Sequence, residues 1–118
     1  MKRAWHDPAK LTEATVAAYR KPLGVNHWDK GLWYFTQAAR KRMPVYDELH
    51  ELSMPVAVMT GDDDRLVATA NSIALSQSLK AAGVEVQESV FESCGHVPQE
   101  ECPEETLEAL TAFLRKLQ

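Results

Sequence analysis

The segment Pro55–Thr60 constrains the fold more than any other part of the chain. Its apolar residues follow one another without polar alternation, which is typical of a strand in a parallel sheet covered on both faces. In Val84–Val90, valines alternate with polar residues, which predicts a second strand with one drier face. A helix fits between them, with Thr69 or Asn71 as its N-cap and Gly83 as its left-handed C-terminal residue. The right-handed crossover of such a β-α-β unit makes the two strands parallel.

A final helix is predicted after the second strand. Pro103 fits its first turn, and the two glutamates that follow complement the positive end of the helix dipole. Its apolar stripe consists of Leu107, Leu110, Leu114 and Leu117. The order of elements after residue 50 is therefore expected to be β-α-β-α.

Two helices are predicted before residue 51. The first follows Thr12 and ends at Lys21–Gly24, because proline cannot continue a helix and glycine tolerates the turn. The second starts near Asn26 and is apolar on more than one side, so it is expected to have neighbours on both sides. Its apolar residues are Trp28, Leu32, Trp33, Tyr34, Phe35 and Ala39. The expected fold class is α/β, with a helical segment at 1–50 and a β-α-β-α segment at 51–118.

Composition excludes several classes of protein. The chain has 118 residues, of which 45% are hydrophobic and 25% are charged, a composition typical of globular proteins. Its net charge of −4 gives no basic surface for nucleic acid. No apolar run approaches the roughly 20 residues needed to cross a bilayer, and the N-terminus does not resemble a secretory signal. Two cysteines, Cys94 and Cys102, are too few for a disulfide framework. A bridge between them is conceivable, but a cytoplasmic protein with both thiols reduced is the expectation.

Chemically active side chains follow both predicted strands. Three carboxylates, Asp62-Asp63-Asp64, come after the first strand, and Cys94-Gly95-His96 comes after the second. Neighbouring parallel strands lie about 4.8 Å apart and end at the same edge, where open α/β sheets bind ligands. A carboxylate bonded to one ring nitrogen of histidine holds the tautomer and stabilises the imidazolium that forms when the other nitrogen takes a proton. The sequence therefore predicts an acid–histidine pair at this edge.

The chain from Pro55 onward resembles the C-terminal third of the α/β-hydrolase fold. PVAVMTGDDDRLV is similar to the late strand and the loop that carries the catalytic acid, and CGHVPQEECPEE to the catalytic-histidine loop and closing helix. The family's G-x-x-D pattern points to Asp64, and its G-H pair to His96. More weakly, residues 5–28 resemble the lid inserted before that strand.

This resemblance implies a hydrolase of esters, lactones or related small lipophilic molecules that needs no cofactor. His96 would act as general base and Asp64 would hold it. The family's nucleophile stands earlier, on a G-x-S-x-G elbow or an aspartate equivalent. No such elbow occurs here, since no two glycines are spaced as it requires. The expectation is a C-terminal hydrolase portion that is inactive alone.

These residues also allow other interpretations. The three aspartates could be solvated turn residues, and His96 an ordinary loop histidine. A Mg²⁺ or Ca²⁺ site lacks further carboxylates, and Cys94, His96 and Cys102 match no zinc spacing, so no metal is expected. Trp28 and Trp33 are candidates for lining an apolar substrate pocket. The remaining histidines, His6, His27 and His50, have no recognisable partners, and the nearby serines, Ser72 and Ser93, do not sit on an elbow.

The rival hypothesis is a non-enzymatic interaction module. A two-stranded parallel sheet leaves an unpaired edge and little cover for its faces. Such a chain is expected to form a homodimer, to complement a separate N-terminal hydrolase segment, or to aggregate.

Overall fold

The computed structural model describes residues 1–40 and 45–118. The strands and α-helices are α1 (Glu13–Arg20), α2 (Trp28–Ala39), β1 (Val56–Gly61), α3 (Thr69–Ala81), β2 (Val86–Phe91), α4 (Pro98–Glu101) and α5 (Pro103–Arg115). Four short 3-10 helices lie at Lys2–Ala4, Pro8–Lys10, Lys21–Gly24 and Val45–Glu51. The order of two helices followed by β-α-β-α is as predicted, with α4 as an additional turn of helix before α5.

The two strands form a parallel sheet, as the crossover predicts. Val56 is paired with Val86 and Gly61 with Phe91, so both strands end level with each other. The pairing continues past the strands, because the Asp62 N–H donates to the Phe91 carbonyl at 2.9 Å. This register places the segments after the two strands side by side.

Small apolar clusters cover both faces of the sheet. Val58 of β1 packs with Leu79 of α3 and with Leu49. Met59, the next residue, packs in a second cluster with Phe91 and the two cysteines. Successive strand residues point to opposite faces, so the prediction of a strand covered on both sides is confirmed.

The helix boundaries agree with some of the predictions and correct others. The Thr12 hydroxyl accepts a hydrogen bond from the Thr15 N–H at 3.1 Å, and so caps α1. Gly83 has φ +87°, the left-handed conformation expected beyond a helix end. The cap predicted for α3 is wrong: the helix starts at Thr69 without a side-chain cap, and the Thr69 hydroxyl donates to the Gly61 carbonyl at 2.6 Å. The Thr69 side chain therefore binds the end of β1 instead of capping its own helix.

Helix α2 differs from its prediction. It begins at Trp28, after His27 in a left-handed conformation, and its apolar side chains face solvent instead of neighbours. Leu32, Trp33, Tyr34 and Phe35 are more than half exposed. The leucine stripe of α5 is also exposed, with Leu107 at 64%. Among the described residues, no other element covers these apolar faces.

The two cysteines are joined in the structure. Cys94 and Cys102 form a disulfide with a Cα–Cα distance of 6.3 Å, within the usual range for such bridges. The expectation of two reduced thiols is therefore wrong. The bridge closes the short loop between the end of β2 and the start of α5.

Among the helices of residues 1–40 and 45–118, none combines the length and apolar character of a membrane span.

Replacing Gly61 should test how closely β1 approaches the segment after β2. A Cβ at Gly61 would overlap the carbonyl oxygens of Cys94 and Gly95. Because both obstacles are backbone atoms, we expect Gly61→Ala to lower the free energy of unfolding by at least about 2 kcal/mol. Gly31→Ala is the matched control, since Gly31 lies in α2 with open space around it. It should stabilise the chain by about 0.5–1 kcal/mol. Urea unfolding of both variants measures this, and equal stabilities would contradict the close approach.

Candidate active site

Asp64 lies in the acid loop, residues 62–68, which joins β1 to α3. Its Oδ1 accepts hydrogen bonds from the backbone N–H groups of Leu66 and Val67, both at 2.9 Å. The side chain is only 6% exposed. The carboxylate is thus held by its own loop and points away from solvent.

His96 lies in the histidine loop, residues 92–97, which follows β2. Its Nδ1 is 2.8 Å from Oδ2 of Asp64, so the predicted contact across the two loops is confirmed. The His96 backbone N–H donates to the Ala4 carbonyl at 2.7 Å. The imidazole is 37% exposed, and within the described residues its Nε2 has no hydrogen-bond partner. One ring nitrogen is therefore anchored to a buried carboxylate while the other is free to exchange a proton.

Burial and hydrogen bonding oppose each other at Asp64. Burial raises the pKa of the carboxyl group, but the hydrogen bonds with His96 and with the N–H groups of Val67 and Leu66 lower it and prevail. The resulting pKa lies below the ordinary value of 3.8. Asp64 is therefore ionised at neutral pH, as a group that stabilises an imidazolium must be.

A second histidine–aspartate pair lies beside the first. Nδ1 of His6 is 2.8 Å from Oδ2 of Asp63, so the expectation that His6 has no partner is wrong. The Arg65 guanidinium also binds Asp63, through Nε at 3.1 Å and through Nη2. Hydrogen bonds from Arg65 and then His6 lower the pKa of Asp63. This pair ties residues 4–7, here called the N-terminal strap, to the acid loop.

Glu101, the last residue of α4, connects the strap to the histidine loop. Its Oε2 accepts from the N–H groups of His6 at 3.0 Å and Gly95 at 2.8 Å, and its Oε1 accepts from the Asp7 N–H at 2.7 Å. The residue is only 3% exposed. Burial raises the pKa of Glu101, but the three backbone N–H groups outweigh it and bring the pKa below 4.5. Sequence reasoning missed this residue because its donors are backbone groups, which carry no side-chain signature.

The other candidates take no part in these contacts. Trp28 and Trp33 are on α2, 43% and 61% exposed, and they make no side-chain hydrogen bond to the acid or histidine loop among the described residues. Ser72 is in α3, and Ser93 precedes Cys94 in the histidine loop with φ +54°. The zinc alternative fails because the cysteines are paired with each other. In the described part of the chain no cluster of side chains could hold a metal ion.

These loops define a class of protein. A buried acid after one parallel strand and a hydrogen-bonded histidine after the next belong to the C-terminal part of an α/β-hydrolase fold. Residues 9–118 match the model of the prolyl oligopeptidase family, and the chain belongs to that family.

A solved structure supports the same fold. It is described as a membrane phospholipase A and a novel bacterial virulence factor. The two structures agree with a TM-score of 0.66 at 24% sequence identity, over 98% of this chain and 36% of that one. This chain therefore spans about a third of that protein's length. None of the curated proteins matches it.

The Asp64→Asn variant should show how much the free energy of unfolding depends on the charge of Asp64. At pH 7 we expect a loss of about 1–3 kcal/mol in the free energy of unfolding, because a buried ionic acceptor becomes neutral. The native pKa of Asp64 is depressed, so its contribution is present above 3.8 and is lost as the pH falls through the lower native value. The difference between variant and wild type should therefore shrink towards about pH 2.

Urea unfolding at a series of pH values measures this difference. Glu108→Gln, an exposed change in the middle of α5, is the control and should alter stability little at any pH. A difference for Asp64→Asn that stays constant from pH 7 to about pH 2 would contradict the assignment.

Proposed function

We propose that this chain supplies the acid and the general base of an acyl hydrolase. The observation that carries the proposal is the 2.8 Å contact between a buried Asp64 and a partly exposed His96 at the ends of parallel strands. His96 Nε2 would take the proton from the attacking hydroxyl or water and return it to the leaving group. Asp64 would hold the tautomer and stabilise the imidazolium. This hydrolysis needs no bound cofactor.

Esters or related small lipophilic acyl compounds are the proposed substrates. The description of the structural neighbour as a phospholipase agrees with an ester. A peptide bond is the second candidate, favoured by the prolyl oligopeptidase family match. Both are attacked at a carbonyl carbon, so the same two side chains serve either. Trp28 and Trp33 remain our candidates for the apolar wall of the substrate site.

The chain is proposed to be inactive alone and to work with an N-terminal hydrolase segment. Its sequence has no G-x-S-x-G elbow to carry a nucleophile. Exposed aromatic residues on α2 and exposed leucines on α5 offer surface for further polypeptide, and the structural neighbour is much longer. We also propose that the protein resides in the cytoplasm.

Complementation should test this function. The chain alone should not hydrolyse a chromogenic acyl ester, whereas the chain mixed with an N-terminal hydrolase segment that carries the nucleophile should. His96→Ala should abolish the gain, and Asp64→Asn should reduce it by roughly 10³–10⁴-fold. A prolyl peptide substrate in parallel distinguishes ester from peptide hydrolysis. Turnover by the isolated chain that is lost in His96→Ala would overturn the claim of inactivity.

Self-association is the alternative role for the exposed surfaces. Each strand has one neighbour in the described sheet, so each has an open edge, and α5 also carries exposed leucines. We expect the isolated chain to sediment as a dimer, and Leu107→Glu to shift it towards monomer. Leu23→Glu, at an exposed leucine elsewhere, is the control. A stable monomer of the wild type would contradict this role.

A further inference from the structure

Two adjacent glutamates at the end of α4 have opposite environments. Glu100 is exposed, and its carboxylate accepts from the Tyr19 hydroxyl at 2.6 Å. Glu101 is almost fully buried. A buried carboxylate is costly unless its oxygens are hydrogen-bonded. The contacts that offset this cost therefore indicate what Glu101 does.

Within residues 1–40 and 45–118, every donor to the Glu101 carboxylate is a backbone N–H group. One belongs to Gly95, the residue directly before His96, and the others belong to His6 and Asp7 of the N-terminal strap. The described side chains place no cation in a salt bridge with it; the Lys10 ammonium instead donates to the Glu101 backbone carbonyl at 3.1 Å. The carboxylate is therefore a junction between two backbone segments.

The strap also forms a hydrogen bond with His96 itself. The Ala4 carbonyl accepts the His96 N–H at 2.7 Å. A Cβ at Gly95 would collide with the Ala4 carbonyl and the His6 N–H, and would also touch the Glu101 carboxylate. The histidine loop is thus closely enclosed by the strap and Glu101, directly beside the residue that contacts Asp64.

We infer that Glu101 is a positioning residue, which holds the histidine loop and the strap together so that the His96 imidazole stays against Asp64. This inference rests on the proposed function of the pair. Because three N–H groups point at the carboxylate, only a side chain with acceptors on both oxygens satisfies them. Glutamine keeps the shape but turns one acceptor into a donor.

Nuclear magnetic resonance on the 118-residue chain tests this inference without any turnover. The His96 Nδ1–H resonance reports its hydrogen bond to Asp64 and should be present in the wild type. In Glu101→Gln it should be lost, with Gly95 and His96 amide exchange about ten- to a hundredfold faster. The far-ultraviolet circular dichroism should remain. Glu100→Gln is the matched control, since glutamine still offers Tyr19 an acceptor, and it should leave both readouts unchanged.

The outcomes separate this inference from the proposed function. If the Nδ1–H resonance is absent from the wild type, the acid–histidine pair itself is contradicted. If it persists unchanged in Glu101→Gln with unaltered amide exchange, only the role of Glu101 is overturned. Asp64→Asn provides the reference spectrum in which the hydrogen bond to a carboxylate is missing.

Hydrogen exchange of the wild type covers the case in which Glu101→Gln does not fold. The amides of His6, Asp7, Gly95 and His96 should exchange as one cooperative unit with a shared opening free energy. Free exchange at His6 and Asp7 beside strong protection at Gly95 and His96 would overturn the inference, since the junction would then be open while the histidine loop stayed in place.

Discussion

The parallel pairing of β1 and β2 is the constraint on which the site depends. The strands end level, at Gly61 and Phe91, so the acid and histidine loops leave the sheet side by side. Backbone hydrogen bonds continue the contact: the Asp63 N–H donates to the Cys94 carbonyl at 3.0 Å. Gly61 allows this approach because it has no Cβ to meet the histidine loop. An antiparallel pairing would place the two loops at opposite ends of the sheet.

Backbone N–H groups help to stabilise the negative charges of Asp64 and Glu101. Asp64 accepts two and Glu101 three, and in each the hydrogen bonds outweigh a burial that would raise the pKa. Backbone donors are fixed by the fold and carry no formal charge. Asp64 therefore keeps its full charge available for His96, whereas Asp63 is shared between Arg65 and His6. Adjacent carboxylates in one loop thus have different partners and different roles.

Among the described residues, few apolar side chains are buried outside the clusters that pack on the sheet. Leu49, Val58, Leu79 and Val84 form one small cluster, and Phe91 forms another with the cysteine pair. Most large apolar side chains of α2 and α5 are exposed, although a monomeric protein rarely leaves large apolar patches uncovered. Together with the coverage of 36% of the structural neighbour, this exposure supports our proposal that further polypeptide completes the site. The same surfaces serve the dimer alternative.

Local patterns by themselves predicted the strands, the start of α1 after Thr12 and the left-handed Gly83. Parallel geometry predicted that the acid and histidine loops meet, and the resemblance to the α/β-hydrolase fold selected Asp64 as the acid. The local predictions succeed because backbone preference and side-chain alternation act over a few residues. Only the tertiary structure decided the pairing of His6 with Asp63, the hydroxyl bond from Thr69 to Gly61 and the burial of Glu101. In sequence, Glu101 is indistinguishable from Glu100, since its partners are backbone N–H groups that every residue but proline possesses. Which of them meet a carboxylate depends on how distant segments pack.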